Sequence, residues 1–199
     1  VSPAPGQPGR LPFWHGDSLG RPMELGAALG SFMRELSSVS NAKADQRLEK
    51  AGLDERARTN LLAYLTEQKT STGYIPSDRT LVVEKVRDEL GDWRIIVHSP
   101  FGAKVHAPWA LAVGAGLRER FGLDAAVMHA DDGIVLRLPD VDGDDVINSI
   151  IASIAIDPEQ VESLVTQEAG GSALFASRFR EAAARALLLP RRNPGRRSP

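Results

Sequence analysis

The residue types that most often carry out catalysis do not form a catalytic set in this sequence. The chain has no cysteine, which excludes disulfides, thiol nucleophiles and thiolate metal sites. Its serines near glycine lack the strand–turn–helix setting of a nucleophile elbow. Neither a G-x-x-x-x-G-K-[ST] loop nor a G-x-G-x-x-G fingerprint after a strand occurs, so no nucleotide-binding loop is predicted. A stand-alone enzyme is therefore the least favoured class of function.

The histidines and the aspartate-rich loop do not predict a metal site either. No two of the four histidines have the i, i+4 spacing of a helical zinc site. The loop that begins at Asp140 places Asp145 at the sixth position of an EF-hand, where glycine is needed, and Ile151 at the twelfth, where glutamate is needed. We expect no metal ion here and interpret this loop as solvated surface.

Basic and aromatic side chains indicate contact with nucleic acid instead. Lys104 and His106 are predicted to precede the N-terminus of a helix that starts at Pro108, where backbone N–H groups favour phosphate. Aromatic rings such as that of Trp14 can stack on unpaired bases, although taken alone Trp14 is better interpreted as a core residue. The candidate DNA-binding residues are Trp14, His15, Arg79, Lys104, His106, Arg178, Arg185, Arg191 and Arg192.

The charge distribution favours the same class of partner. The net charge is −2, yet residues 182–199 contain five arginines and no acid. A basic tail on a mildly acidic domain is typical of contact with an anion such as nucleic acid. A solvated terminus is an equally good interpretation from composition alone.

The overall composition is that of an ordinary globular protein. Of the 199 residues, 42% are hydrophobic and 25% are charged, which suits one large domain or two small ones. No apolar run is long enough to span a membrane, and residues 1–10 lack the features of a signal peptide. The sequence begins with Val, so we expect a piece of a longer protein, in the cytoplasm and without a membrane partner.

The first third of the chain predicts helices. Apolar spacing and turn residues place them at 22–37, 42–51 and 54–69, with Asp54 as the cap of the third. Gly26 and Gly30 cost helix propensity in the first helix, so we expect a close neighbour there. The residues expected to face the core from this helix are Leu25, Leu29, Phe32, Met33 and Leu36.

The remainder predicts a sheet with flanking helices. Branched residues mark strands at 80–86, 93–99, 125–130 and 134–138, and the Asp-Gly pair before the last strand is a hairpin signal. Two hairpins around a helix, in the order β-β-α-β-β, predict a largely antiparallel sheet and an α+β fold. The expected helices are Pro108 to Arg120, a short one from Pro158, and 173–188, capped by Ser172 and burying Leu174, Phe175, Phe179 and Leu187.

Three long stretches resemble one protein family. They are LPFWHGDSLGRPMELGAALGSFMREL, GYIPSDRTLVVEKVRDELGDWRIIVHSPFGAKVHAPWALA and GGSALFASRFREAAARALLLPRRNPGRRSP. Together they are similar to the DEAD/H-associated region of the large helicase-related (Lhr) proteins of superfamily 2. This region follows the two motor domains and the winged helix in that family.

The resemblance implies an ATP-dependent 3′-to-5′ DNA helicase as the parent protein. ATP and magnesium would bind in its motor domains, and this chain would hold no cofactor. The partners would be single-stranded and tailed duplex DNA, RNA:DNA hybrids included, together with the motor and winged-helix domains. The expected organisation is the end of an upstream β-barrel at 1–20, a helical segment at 21–72, an α+β subdomain at 73–189 and a basic arm at 190–199.

The resemblance also gives Trp14 a role. A tryptophan in this region of Lhr proteins stacks on the tracking strand and couples translocation to unwinding, and the LPFW motif makes Trp14 its best match. Strand alternation would then turn Phe13 inward and Trp14 outward. Two hypotheses follow: a non-catalytic DNA-engaging domain of a repair helicase, or a clamp that braces the motor domains without touching DNA.

Overall fold

The computed structural model describes residues 20–139, 141, 143–171 and 173–188. Within these ranges, three helices precede a hairpin, a long helix, a second hairpin and three further helices. The elements are α1 (Met23–Ser38), α2 (Asn41–Lys50), α3 (Glu55–Thr72), β1 (Val82–Arg87), β2 (Trp93–His98), α4 (Ala103–Phe121), β3 (Ala126–Ala130), β4 (Gly133–Leu138), α5 (Asp144–Ser153), α6 (Pro158–Ala169) and α7 (Ala173–Arg185).

The four strands form one antiparallel sheet in the order β1-β2-β4-β3. Its inner face carries alternate residues of β2 and β4, such as Ile95 and Leu136, which are fully buried. Helices α4 and α5 add Leu117, Ile147 and Ile150 to the same core. The predicted α+β fold and both hairpins are therefore confirmed.

A second, smaller core holds the helical segment together. Leu36, Ala44, Leu48 and Leu65 pack between α1, α2 and α3. The three helices lie where the sequence predicts them, although α3 extends to Thr72. The side chain of Asp54 accepts a hydrogen bond from the N–H of Ala57 at 2.8 Å, which confirms the predicted cap.

The first half of α1 buries its glycines rather than its leucines. A Cβ atom on Gly26 would lie 2.1 Å from the carbonyl oxygen of Pro100, and one on Gly30 would lie 2.4 Å from the nitrogen of Asp78. The predicted close neighbour is therefore backbone. Leu25 and Leu29 point away and are exposed, so their assignment to the core is wrong.

Helix α4 begins five residues before Pro108, at Ala103. The predicted start at proline is wrong because the real start is capped from outside the helix: Asp131 Oδ1 accepts from the N–H of Ala103 at 2.9 Å. Gly102, with φ of +90°, makes the turn into the helix. Pro108 sits in the interior, and Gly122 ends the helix as predicted.

Helix α7 differs most from its prediction. It ends at Arg185 rather than at residue 188. Phe175 and Phe179, expected in the core, are 47% and 65% exposed, and Leu187 is exposed too. The two phenylalanine rings stack on each other at 5.9 Å. Helix α7 contributes to neither of the two buried clusters. Ser172 and the side chain of Leu174 lie outside the described parts.

In the stretch of chain that the structure describes, no helix is long and apolar enough to cross a bilayer.

Candidate nucleic-acid interface

The structure tests the predicted DNA-binding residues unequally. Trp14, His15, Arg191 and Arg192 lie outside the described residues, and the direction in which Trp14 faces stays a prediction. The five others fall on three places: the turn before β1, the start of α4, and α7.

Arg79 offers an exposed positive charge. Its guanidinium has no hydrogen-bond or ion-pair partner among residues 20–188 that are described. The neighbouring Asp78 offsets this charge only in part, because both oxygens of that carboxylate accept from Arg34, at 2.8 and 2.9 Å. These hydrogen bonds hold the pKa of Asp78 below its ordinary value. Arg79 is therefore available to a phosphate.

Lys104 is exposed in the first turn of α4, and its ammonium also lacks an acidic partner within the described residues. The backbone N–H groups at the helix N-terminus beside it, however, already donate hydrogen bonds within the protein. Asp131 Oδ1 accepts from the backbone N–H groups of Arg21 at 3.0 Å and Ala103 at 2.9 Å. These hydrogen bonds, that of Arg21 first, lower the pKa of Asp131. The anion at this helix start is the carboxylate of Asp131, so Lys104 can attract a phosphate only through its side-chain charge.

His106 is a structural residue, and its predicted contact with phosphate does not fit its position. The imidazole is completely buried. One ring nitrogen lies 2.7 Å from the carbonyl oxygen of Ala130, and the other lies 2.7 Å from the hydroxyl of Ser99. Both polar atoms are used within the protein, so the ring ties α4 to the two hairpins.

Arg178 and Arg185 share one acidic partner on α7. Arg178 donates to Glu181 Oε2 at 3.1 Å and Arg185 donates to Glu181 Oε1 at 2.5 Å. Such exposed pairs contribute little to stability, but they reduce the positive potential of the helix. Arg180 is exposed and has no such partner in the described parts of the chain; the sequence prediction missed it.

Helix α1 contacts the backbone next to both exposed cations, Arg79 and Lys104. Its Gly30 contacts the backbone at Asp78, next to Arg79, and its Gly26 contacts the backbone at Pro100, in the loop that leads to Lys104. The two glycines are four residues apart, which is about 6 Å along the helix axis. The two cation-bearing segments are therefore neighbours along α1, whereas α7 belongs to neither buried cluster.

Two adjoining clefts between α1 and α3 were not predicted. One, of about 350 Å³, is lined by Tyr64 and Gln68 of α3 together with Leu29 and Met33 of α1. The other, of about 250 Å³, is lined by Arg34 and Lys69 among others. No motif in the sequence marks them, because they form where α1 and α3 meet the segment before β1.

The described residues contain no group of three or more histidine, aspartate and glutamate side chains that could hold a metal ion. In the aspartate-rich loop, Asp140 and Asp142 lie outside the described residues, and Asp144 lies 3.4 Å from the ammonium of Lys85. Exposed cations and aromatic rings among the described residues suit binding of a polyanion.

Comparison with known proteins finds one matching family model and several similar proteins. The family model described as DEAD/H associated matches residues 75–199. The whole chain is 58% identical to the Lhr helicase/probable uracil glycosylase of Mycolicibacterium smegmatis and 46% identical to the Lhr helicase/uracil glycosylase of Escherichia coli. It spans only 13% of the length of each of these proteins.

The fold has a solved counterpart as well. The structure of Mycobacterium smegmatis helicase Lhr bound to ssDNA and AMP-PNP matches with a TM-score of 0.80 at 58% identity. The match covers 98% of this chain and 24% of that one. The fold described above is thus a part of a much longer relative.

Proposed function

Since the chain belongs to the DEAD/H-associated family of Lhr helicases, we propose that it is a non-catalytic, DNA-engaging domain of an ATP-dependent 3′-to-5′ DNA helicase. Its role is to help enclose the tracking single strand and to couple translocation to duplex unwinding in DNA repair. ATP and magnesium act in the motor domains of the parent, outside this chain. The substrates are single-stranded and tailed duplex DNA, RNA:DNA hybrids included, in the cytoplasm.

One observation carries the proposal: the fold matches, over 98% of the chain, part of a helicase that was solved with single-stranded DNA. The exposed side chains of Arg79 and Lys104 support it, because a translocating enzyme needs phosphate contacts that ignore base sequence. Stacking on aromatic rings serves the same need, since every base has a π-face.

Trp14 supplies the sharpest test. In the full-length protein, Trp14→Ala should spare ATP hydrolysis stimulated by single-stranded DNA but slow unwinding of a tailed duplex. The physical reason is that a ring stacked on the tracking strand transmits movement to the duplex, while the motor domains still bind and hydrolyse ATP. Equal loss of both activities, or loss of neither, would count against the coupling role.

The basic arm can be tested separately. Replacing Arg191, Arg192, Arg196 and Arg197 with alanine should flatten the dependence of DNA affinity on salt, because fewer counterions are released on binding. An unchanged slope would assign the arm to contacts with other domains.

A second candidate function is a clamp that braces the motor domains. The exposed Phe175 and Phe179 of α7 favour it, because stacked apolar rings on a surface are typical of an interface. In the full-length protein, Phe179→Ala should then weaken domain association and lower both ATP hydrolysis and unwinding. A change confined to DNA affinity would place α7 on the DNA side instead.

A further inference from the structure

The two clefts between α1 and α3 lie side by side and differ in chemistry. We call them the tyrosine cleft, which contains Tyr64, and the lysine cleft, which contains Lys69. Ile75 lines both. On α3 the two clefts are lined by consecutive residues, Gln68 and Lys69, and on α1 by Met33 and Arg34. A ligand that fills one cleft can therefore extend directly into the other.

The tyrosine cleft presents a flat aromatic surface with apolar walls. Tyr64 is 55% exposed although it lies within a helix beside the buried Leu65, and its hydroxyl has no hydrogen-bond partner among the described residues. Leu29 and Met33, four residues apart on α1, line the same cleft. Its volume of about 350 Å³ falls in the range of small-ligand sites.

Polar groups at the rim of the tyrosine cleft could read the edge of a planar ligand. The amide nitrogen of Gln68 donates only a long hydrogen bond, 3.4 Å, to Thr72, and its oxygen has no partner within the described residues. Arg21 and Asp132 neutralise each other at 2.8 Å. A planar group with a polar edge and no net charge fits this cleft.

The lysine cleft, by contrast, carries net positive charge. The guanidinium of Arg34 is held by Asp78, so its charge is compensated. Lys69 is exposed, and its ammonium pairs with no acid in the described ranges. Hydroxyl-bearing Ser77 and Thr80 line the same cleft. An anionic group such as a phosphate fits here.

The order of these features matches a nucleotide unit, in which a base and a phosphate are joined through a sugar. Tyr64 and Lys69 are separated by about 7.5 Å along the axis of α3, and the clefts that they line share Ile75. We propose that the tyrosine cleft takes one base of single-stranded DNA, stacked on Tyr64, and that the lysine cleft takes a neighbouring phosphate at Lys69. This inference rests on the proposed function, because it assumes that this domain meets DNA. It adds a second stacking position, far along the sequence from Trp14.

The affinity of the full-length protein for single-stranded DNA tests the stacking. Tyr64→Ala should weaken binding about five- to 150-fold, the usual effect of removing one stacked base. Tyr64→Phe keeps the ring and should bind as the unmodified protein does. Leu90→Ala is the matched control, since Leu90 is exposed in the β1–β2 turn, outside both clefts. Unchanged affinity in Tyr64→Ala, or equal losses in Tyr64→Ala and Tyr64→Phe, would overturn the proposal.

Photocrosslinking tests the same contact without a variant. Single-stranded DNA carrying 5-iodo-deoxyuridine should crosslink to a peptide that contains Tyr64 in the unmodified full-length protein. Crosslinks that never include this peptide, at any position of the probe, would overturn the inference even if Tyr64→Ala fails to fold.

Lys69 tests the phosphate half. Lys69→Ala should reduce the slope of log affinity against log salt by about 0.7, the value for one phosphate contact on a single strand, and Lys69→Arg should restore it. An unchanged slope in Lys69→Ala would refute this contact. If the unmodified protein does not bind single-stranded DNA, the proposed function itself fails; if it binds but Tyr64 and Lys69 have no effect, only the present inference fails.

Discussion

The start of α4 and the clefts between α1 and α3 differ in whether the protein has already used their binding groups. At the start of α4 the residue types suit phosphate, yet Asp131 occupies the backbone N–H groups and His106 is bonded at both nitrogens. In the clefts, the ring of Tyr64 is more than half exposed, and neither its hydroxyl nor the ammonium of Lys69 has a hydrogen-bond or ion-pair partner among the described residues. Residue type therefore indicates what could bind, and the contacts within the fold decide what is left to bind.

The largest effect in this comparison should come from His106. His106→Ala removes a fully buried ring together with its hydrogen bonds to the hydroxyl of Ser99 and the carbonyl of Ala130, at a cost of about 2–5 kcal/mol in local stability. Amide hydrogen exchange across α4 in the full-length protein should accelerate accordingly, while affinity for DNA stays within about twofold. Weaker DNA binding with unchanged hydrogen exchange would instead support a direct contact between His106 and DNA.

The glycines of α1 should give the next largest effect. Gly26→Ala forces a Cβ into the carbonyl of Pro100 and should destabilise the contact between α1 and the β2–α4 loop by about 1–3 kcal/mol. Gly116→Ala is the matched control within α4, because its Cβ would meet nothing within 4 Å; it should stabilise by up to about 1 kcal/mol. Hydrogen exchange measures both, and effects of the same sign would contradict the close packing.

Lys104 and Arg178 should give a smaller effect, on binding. Lys104→Ala removes an uncompensated charge and should lower the salt slope of single-strand binding by about 0.7. Arg178→Ala removes a charge that Glu181 partly cancels, so its slope should change less. A larger change for Arg178 would mean that ion pairing inside the chain is a poor guide to the interface.

Lowering the pH should give the smallest effect, a weakening of the hydrogen bonds to Asp131 that is absent at neutral pH. Because folding lowers the pKa of Asp131 from its ordinary 3.8, its contribution is complete above that value and is lost as the pH falls through the folded pKa. The protection of the Arg21 and Ala103 amides against hydrogen exchange, relative to their intrinsic rates at each pH, should then fall more steeply than at other sites. Asp131→Asn should remove this steepness; if the steepness persists, another group is responsible.

The sequence predicts the elements of this fold well and their exposure less well. Strand alternation, the Asp-Gly turn and the cap at Asp54 are local signals, and each is confirmed within a few residues. The start of α4 was misplaced because its cap, Asp131, lies 28 residues away in the sequence. Apolar spacing predicts Phe179 inward, although its side chain is 65% exposed and packs only on the equally surface-lying Phe175 among the contacts described above.

The candidate site shows the same contrast between what local sequence signals predict and what only the fold decides. Arg79 and Lys104 could be predicted because they lie at element ends, where exposure is the rule. Tyr64 could not, because a tyrosine among leucines in a helix has the pattern of a core residue. In the structure its side chain is 55% exposed, at the cleft between α1 and α3.

The contacts of Arg21 have a mechanical consequence. The chain enters the described fold at residue 20, directly after the segment that contains Trp14, and Arg21 at once binds the β3–β4 turn and the carbonyl of Pro100. A force applied to that segment is therefore transmitted first to the sheet and only then to α1. If Trp14 binds a moving DNA strand, the resulting force acts on the β3–β4 hairpin before it acts on a single helix.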